Sequence, residues 1–270
     1  MIAEPAGILG EVLSVKRAGA YHHLTIRTPG IDPATRAGHF VAIAIGGSEP
    51  VRLARRAFWV FAVETGGLYG GTIEIVVEIR GTGTAWLAGL RTGDKVDLLG
   101  PLGKPFALPR EPVSCLLVGD GYGSAPLFQL ARGLIGRGCR VHMVLGAADE
   151  AHLLGALAAK RIATTFGVAT ADGSAGVRGP VTVLLPDAFR RYGIEVAYAC
   201  GPHPTLQAVA EAATANGAYS QCALEPRMGC GTGLCLSCVV ELEEGGRTRT
   251  VRGCVDGPVL TGDAVAWEYA

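Results

Sequence analysis

The chain has 270 residues, enough for two medium domains, or two and a small third. A hydrophobic share of 49% argues against disorder, and 24 basic residues balanced by 24 acidic ones give no electrostatic ground for a nucleic acid or an anionic membrane as partner. Forty glycines are too many for a helical bundle and suit a protein that turns sharply and brings backbone close to ligands.

The apolar stretch Cys115–Ile135 is broken by glycines, Asp120, Pro126, Gln129 and Arg132, so it does not read as a membrane span. The opening MIAEPAG has no basic segment followed by an apolar run, so no secretory signal is read and the expected location is cytoplasmic. Eight cysteines in a reducing compartment need a role other than disulfides. Cys115, Cys139, Cys200 and Cys222 are scattered among apolar neighbours and read as small buried hydrophobes, with Cys200 a candidate exception. Cys230, Cys235, Cys238 and Cys254 crowd the last fifth of the chain.

Residues 1–108 read as a small closed or sandwiched sheet. Ile8–Val15, His39–Ile45, Phe58–Val63 and Thr72–Ile79 are rich in Val, Ile and aromatics and are separated by turn residues. A short helix is expected at Ala85–Leu90, before the turn Gly100–Gly103. Over residues 109–222 the pattern changes to alternation. Strands are expected at Ser114–Val118, Val141–Gly146, Ile162–Thr170 and Glu195–Cys200, with helices at Ser124–Gly136, Glu150–Ala159, Pro180–Leu185 and Thr205–Asn216. Such alternation predicts a parallel sheet covered on both faces. Residues 223–270 are short and glycine-dense, with strand-like runs only at Val239–Leu242 and Arg247–Val251. A tail this poor in apolar residues needs a staple, and its four cysteines are the candidates.

Their spacing is Cys230-x4-Cys235-x2-Cys238-x15-Cys254, that of plant-type [2Fe-2S] ligands. Four thiolates must converge from one loop. Gly229, Gly231 and Gly233 let that loop curl and let its N–H groups point at sulfur. A structural zinc site also takes four cysteines, but typically as two short knuckles, and one side here lacks that form.

Leu116–Leu127 reads as strand, glycine turn and helix start. Gly119, Gly121 and Gly123 are spaced G-x-G-x-G, not G-x-G-x-x-G. A helix N-terminus there suits a pyrophosphate, and a tight turn without a ligand is the alternative. Asp149 and Glu150 follow the second strand with no arginine beside them. They can accept from a ribose 2′-hydroxyl and would repel a 2′-phosphate, which favours NAD(H); a solvated helix start with two acids is the other reading.

Taken together, GPLGKPF (Gly100–Phe106), LLVGDGYGSAPL (Leu116–Leu127), TADGSAGVRGPV (Thr170–Val181), ACGPHPTL (Ala199–Leu206), LEPRMGCGTGLCLSCVV (Leu224–Val240) and RGCVDGPVL (Arg252–Leu260) match one family in order. The chain resembles the electron-transfer subunits of NAD-linked dihydroorotate dehydrogenases, within the ferredoxin reductase-like superfamily. The resemblance implies an FAD-binding antiparallel β-barrel, an NAD-binding parallel α/β domain and a small C-terminal [2Fe-2S] domain. It also implies a partner, the FMN-containing catalytic subunit, in a heterotetramer serving pyrimidine biosynthesis, with no organic-substrate site on this chain. The redox logic agrees: NADH delivers a hydride, a cluster passes single electrons, and a flavin converts one into the other.

The resemblance places the flavin contacts unevenly. The family's arginine-proline-x-serine stretch falls on Arg56, Ala57, Phe58 and Trp59, so the arginine that should meet the pyrophosphate is kept and the hydroxyl near the reactive flavin nitrogen becomes an indole. Val76, Val77 and Glu78 fall where the family tends to carry tyrosine and arginine, and Gly83-Thr84 matches its phosphate turn. Cys200, Gly201 and Pro202 are expected beside the nicotinamide. Two rival readings stay open: a similar subunit of a hydrogenase or transhydrogenase, and a zinc-stapled module that only senses NAD(H).

Overall fold

The computed structural model describes residues 6–46, 55–66 and 70–268. The first five residues, on which part of the leader reading rests, lie outside them. The barrel strands are β1 (Ala6–Ala18), β2 (Tyr21–Arg27), β3 (Phe40–Ala44), β4 (Arg55–Glu64), β5 (Thr72–Glu78) and β6 (Lys95–Leu102), with α1 (Thr82–Ala88) between the last two. They pair antiparallel in the order β1-β2-β5-β4-β3-β6 and close through β1 and β6. Alternation explains both faces. Leu24, Ile26, Val41, Ile43, Ile73, Ile75, Val77 and Leu98 fill the barrel interior.

The opposite faces of the same strands supply Tyr21, Phe40, Ala42, Trp59, Val76 and Leu102 to a second core, shared with Leu117, Phe128 and Tyr198 of the next layer. Phe61 and Phe128 meet there with ring centroids 5.0 Å apart. At about 1.5–3 kcal/mol per large apolar side chain buried, this junction fixes the barrel against its neighbour.

That neighbour contains β7 (Ser114–Asp120), α2 (Ala125–Gly136), β8 (Arg140–Ala147), α3 (Ala156–Ile162), β9 (Thr165–Thr170), β10 (Val177–Arg178), α4 (Leu185–Tyr192), β11 (Val196–Cys200), α5 (His203–Ala215) and β12 (Tyr219–Ala223). After it come β13 (Val239–Glu244), β14 (Arg247–Arg252) and β15 (Val259–Thr261). The large sheet runs β10-β9-β8-β7-β11-β12-β15. It is parallel except for β15, which lies antiparallel on β12. The order reverses direction between β7 and β11, so the carboxyl ends of these two strands form a topological switch point.

Five strands escaped the sequence reading: β2, β6, β10, β12 and β15. The helix expected over Glu150–Ala159 is instead a 3-10 turn at Glu150–His152 followed by α3. Gly155 breaks it in a left-handed conformation (φ 67°), where a Cβ would stand 2.4 Å from the Phe128 ring. The helix expected over Pro180–Leu185 is a 3-10 turn at Val181–Leu184 leading into α4. The tail is held by more than cysteines. Val240, Leu242, Val251 and Val265 join the core formed by α4, α5 and the large sheet. No helix among the described residues is long and apolar enough to cross a membrane.

Candidate functional site

The four tail cysteines gather on the loop ahead of β13 and the turn after β14. They associate two and two. The Cys235 N–H donates to the Cys230 sulfur at 3.4 Å, as does the Thr232 N–H, and the Cys254 N–H donates to the Cys238 sulfur at 3.4 Å. Among the described residues no three such ligands converge on one point. A two-iron rhomb, wider than one ion, takes one pair at each end, so this donor set suits [2Fe-2S].

The environment favours thiolate on the open side of the loop. Hydrogen bonds from Thr232, then Cys235, bring Cys230 down to about 5, and Ser237 lowers Cys235. Burial, followed by the Cys238 thiol, pushes Cys254 up to about 12. Gly231 and Gly233 take positive φ as the curl demands, and Leu236 does so without being glycine (φ 57°).

At the switch point a cavity of about 710 Å³ opens between sheet and barrel. Gly121, Gly123, Gly201 and Pro202 line it from the sheet, and Tyr21, Glu78 and Arg80 from the barrel. Gly123 has to be glycine, since a Cβ there would sit 2.6 Å from Gly201 Cα. Gly119 lies beneath the turn, against Ser124. Cys200 is fully buried at the end of β11, and burial raises its thiol well above the ordinary range, so it packs as a neutral group.

Asp149 is turned away from this cavity. Its carboxylate accepts from the His152 N–H at 3.1 Å and pairs with His152 Nδ1 at 2.7 Å. The bond to the His152 ring holds its carboxyl below the usual range. Ala147, Ala148 and His152 form the wall instead, and Glu150 is exposed outside it.

A second cavity, about 210 Å³, is lined by Phe40, Arg56, Ala57, Phe58, Trp59, Tyr122, Leu224, Glu225, Pro226 and Met228. Arg56 is exposed and makes no ion pair among the described residues. Its guanidinium lies 3.8 Å from where a Cβ of Gly83 would stand, beside the start of α1. Thr84 points its hydroxyl into the turn, accepting from the Arg80 and Gly81 N–H groups at 2.8 and 3.1 Å, which turns it away from a phosphate. Val77 faces the barrel interior and Val76 the interlayer core, which removes both side chains from the cavities. Glu78 lines the larger one and pairs with Arg80 at 2.7 Å.

The cluster loop abuts this second cavity. Met228 lines it two residues before Cys230, and a Cβ on Gly231 would touch Leu102, Ala42 and Phe40 at 3.3–3.6 Å.

Residues 225–266 match the family model of the iron-sulfur cluster binding domain of dihydroorotate dehydrogenase B. The electron transfer subunit of dihydroorotate dehydrogenase B (NAD(+)) from Bacillus caldolyticus is 42% identical over 195 residues, covering 70% of this chain and 72% of the relative. That of Desulforamulus reducens is 30% identical over 247 residues, or 92% and 93%. The chain belongs to this family. A solved NADH-dependent reduced ferredoxin-NADP oxidoreductase, described for flavin-based electron bifurcation, superposes with a TM-score of 0.83 at 30% identity, covering 97% of this chain and 91% of that one. A ferredoxin NADP+ reductase from Neisseria gonorrhoeae with bound FAD and NADP shares the fold, with a TM-score of 0.62 at 18% identity over 79% of this chain and 92% of that one.

The matched span of this dihydroorotate dehydrogenase B family holds all four tail cysteines and begins at Glu225, a residue the sequence reading passed over. Glu225 accepts from the Trp59 indole at 2.6 Å, 166 positions away in sequence. Tyr122 also escaped notice, and its hydroxyl accepts from the Trp59 N–H at 3.0 Å. So did Thr205, which donates to Asp120 at 2.8 Å and ties α5 to the glycine turn. An aromatic inside a glycine turn, and a lone acid ending an apolar strand, were the available signals.

Proposed function

We propose that this chain is the electron-transfer subunit of an NAD-linked dihydroorotate dehydrogenase, passing electrons between NAD(H), FAD and a [2Fe-2S] cluster, to or from the FMN of a catalytic subunit. The observation that carries it is the contiguity of three sites: the switch-point cavity shares Tyr122, Leu224, Glu225 and Pro226 with the second cavity, and the cysteine loop abuts that one.

The division of labour is residues 1–108 for FAD, 109–222 for NAD(H) and 223–270 for the cluster, with β15 returning to the large sheet. Gly119, Gly121 and Gly123 shape the nucleotide turn, Gly201 and Pro202 close its far wall, and Asp149 reaches the ribose side through His152. Cys200 supports the nicotinamide end from beneath. Arg56 and the N–H groups around Gly83 hold the flavin's phosphates, while Ala57, Phe58 and Trp59 wall its ring. Glu78 orients Arg80 beside it. Cys230, Cys235, Cys238 and Cys254 ligate iron. FAD supplies the exchange between two-electron and one-electron steps. We place the protein in the cytoplasm, a reducing compartment that keeps cysteine thiols available to iron.

The test is reconstitution. The purified chain should be brown-orange and reduce dyes with NADH but leave dihydroorotate untouched. Adding an FMN-containing catalytic subunit should couple dihydroorotate oxidation to NAD⁺ reduction. The likeness to the ferredoxin-NADP oxidoreductase carries a second reading, a subunit of another NAD(P)H-linked complex such as a transhydrogenase. Co-purification with such a partner would replace the first reading.

A further inference from the structure

A hydride carries two electrons and one proton, whereas an iron–sulfur cluster accepts electrons singly and takes no proton. For every hydride delivered, one proton must therefore be set free where the two paths part. On the reading above, that place is the seam between the two cavities.

Four residues line both cavities: Tyr122, Leu224, Glu225 and Pro226. Two of them carry groups that can exchange a proton. The Tyr122 hydroxyl is raised beyond the range of a base at neutral pH, foremost by burial, and already accepts from the Trp59 N–H. Glu225 is different. One carboxylate oxygen is held by the Trp59 indole at 2.6 Å, and the other has no hydrogen-bond partner among the described residues, although the residue lies open on the cavity walls. The other acids nearby are committed and line only the larger cavity: Glu78 pairs with Arg80, and Asp120 accepts from Thr205.

We propose that Glu225 takes up and releases the proton that each hydride leaves behind, its free oxygen receiving it while the Trp59 indole fixes the other. The inference rests on the electron-transfer reading. The balance closes without a further reagent: the carboxylate becomes a carboxylic acid, the two electrons leave through the cluster, and the acid returns its proton to water.

The surroundings suit the task. Glu225 is exposed on the cavity walls, and desolvation by the protein around it raises its carboxyl from the ordinary range, opposed by the Trp59 bond and the Arg80 charge. The groups facing it are Arg80 beyond β5, the neutral Tyr122 hydroxyl on the glycine turn and the neutral Cys200 thiol at the end of β11. Trp59 thus does more than replace a serine. It positions the proton-holding group.

The experiment is potentiometric titration of the flavin in the full chain with its cofactors, over a range of pH, for the parent, Glu225→Gln and Trp59→Phe. A nearby acid whose proton affinity depends on flavin charge bends the plot of potential against pH. The bend should vanish in Glu225→Gln and move to higher pH in Trp59→Phe, which loses a bond favouring the carboxylate. Electron passage from NADH to a dye should fall by roughly a hundredfold in Glu225→Gln, the scale of a lost proton-transfer group. A bend that survives in Glu225→Gln, or that does not move in Trp59→Phe, overturns the proposal while leaving the electron-transfer reading standing. Should Glu225→Gln lose its flavin, the Trp59→Phe titration decides alone. A parent chain that holds no flavin overturns both.

Discussion

Gly123 and Gly201 touch backbone to backbone: the Cβ that Gly123 lacks would stand 2.6 Å from Gly201 Cα and 2.7 Å from its nitrogen. This contact brings the turn after β7 against the turn after β11 and so builds the floor of the larger cavity. Neither neighbour is a flexible side chain, so the collision cannot be relieved by a rotamer change. Gly123→Ala should cost about 1–3 kcal/mol of stability, the scale of overpacking, and raise the Kd for NADH at least roughly tenfold. Thermal unfolding and NADH binding to the purified variant check both.

The cluster assignment predicts what each cysteine does when changed. Serine at Cys254 removes a ligand from the Cys238 end, and the visible absorption and iron content should fall together. Cys222→Ser, in the core beneath α5, should leave the spectrum intact. A full cluster spectrum in Cys254→Ser would mean that the fourth ligand is elsewhere.

Much of this was legible in sequence because chemistry and spacing coincide. Four cysteines in one pattern and glycines in a βα turn constrain local backbone, so the gathering of the cysteines and the tight turn after β7 were readable in the sequence. The alternation of strands and helices carried the parallel sheet for the same reason. What sequence could not carry were directions and long-range pairs. Val77 belongs to the barrel interior and Val76 to the interlayer core because a strand's faces are assigned by its neighbours. The Trp59–Glu225 bond joins residues from opposite ends of the chain, and β15 becomes a strand only because β12 offers an edge.

His39 gives a stability prediction with a defined sign. It is 3% exposed, its Nδ1 accepts from the Arg36 N–H at 3.0 Å, and burial pushes it down to about 4 from an ordinary 6.5. The unfolded chain therefore binds the proton first as pH falls. Stability should be constant above about 6.5 and decline between there and about 4, by at most roughly 3 kcal/mol from this residue. His39→Asn keeps an acceptor for the Arg36 N–H and cannot take the proton. Denaturant midpoints measured across that window should fall less steeply in the variant. An equal slope in both would show that His39 is not the group responsible.

Cofactor choice follows from the wall at the end of β8. Asp149 faces His152, and Arg80 on the barrel side is paired with Glu78, so no unpaired cation lines this part of the cavity among the described residues. A 2′-phosphate would find no free guanidinium on this wall, with Asp149 held behind it by His152. We expect kcat/KM for NADH to exceed that for NADPH by at least about tenfold, or about 1.4 kcal/mol in the transition state. A ratio near one would show that this wall does not discriminate against the 2′-phosphate.

The last prediction concerns where electrons leave. Leu234 is 85% exposed and Leu236 is 60% exposed, flanking Cys235, itself exposed. Leu236 also holds a left-handed backbone conformation, rare for a side chain of its size. Large apolar groups standing in water beside a redox centre are what an interface core looks like before its partner arrives. On the proposed function the partner is the FMN-containing catalytic subunit, and this loop would bring the cluster to it. Leu234→Asp places a charge where such an interface would be dry, and complex formation with the catalytic subunit should weaken by at least roughly tenfold, as for a loss of 1.4 kcal/mol or more. The measurement is the Kd by titration of one subunit with the other, with the visible spectrum of the free variant reporting that its cluster loop is intact. Unchanged affinity with an intact spectrum would move the docking face away from the cluster loop.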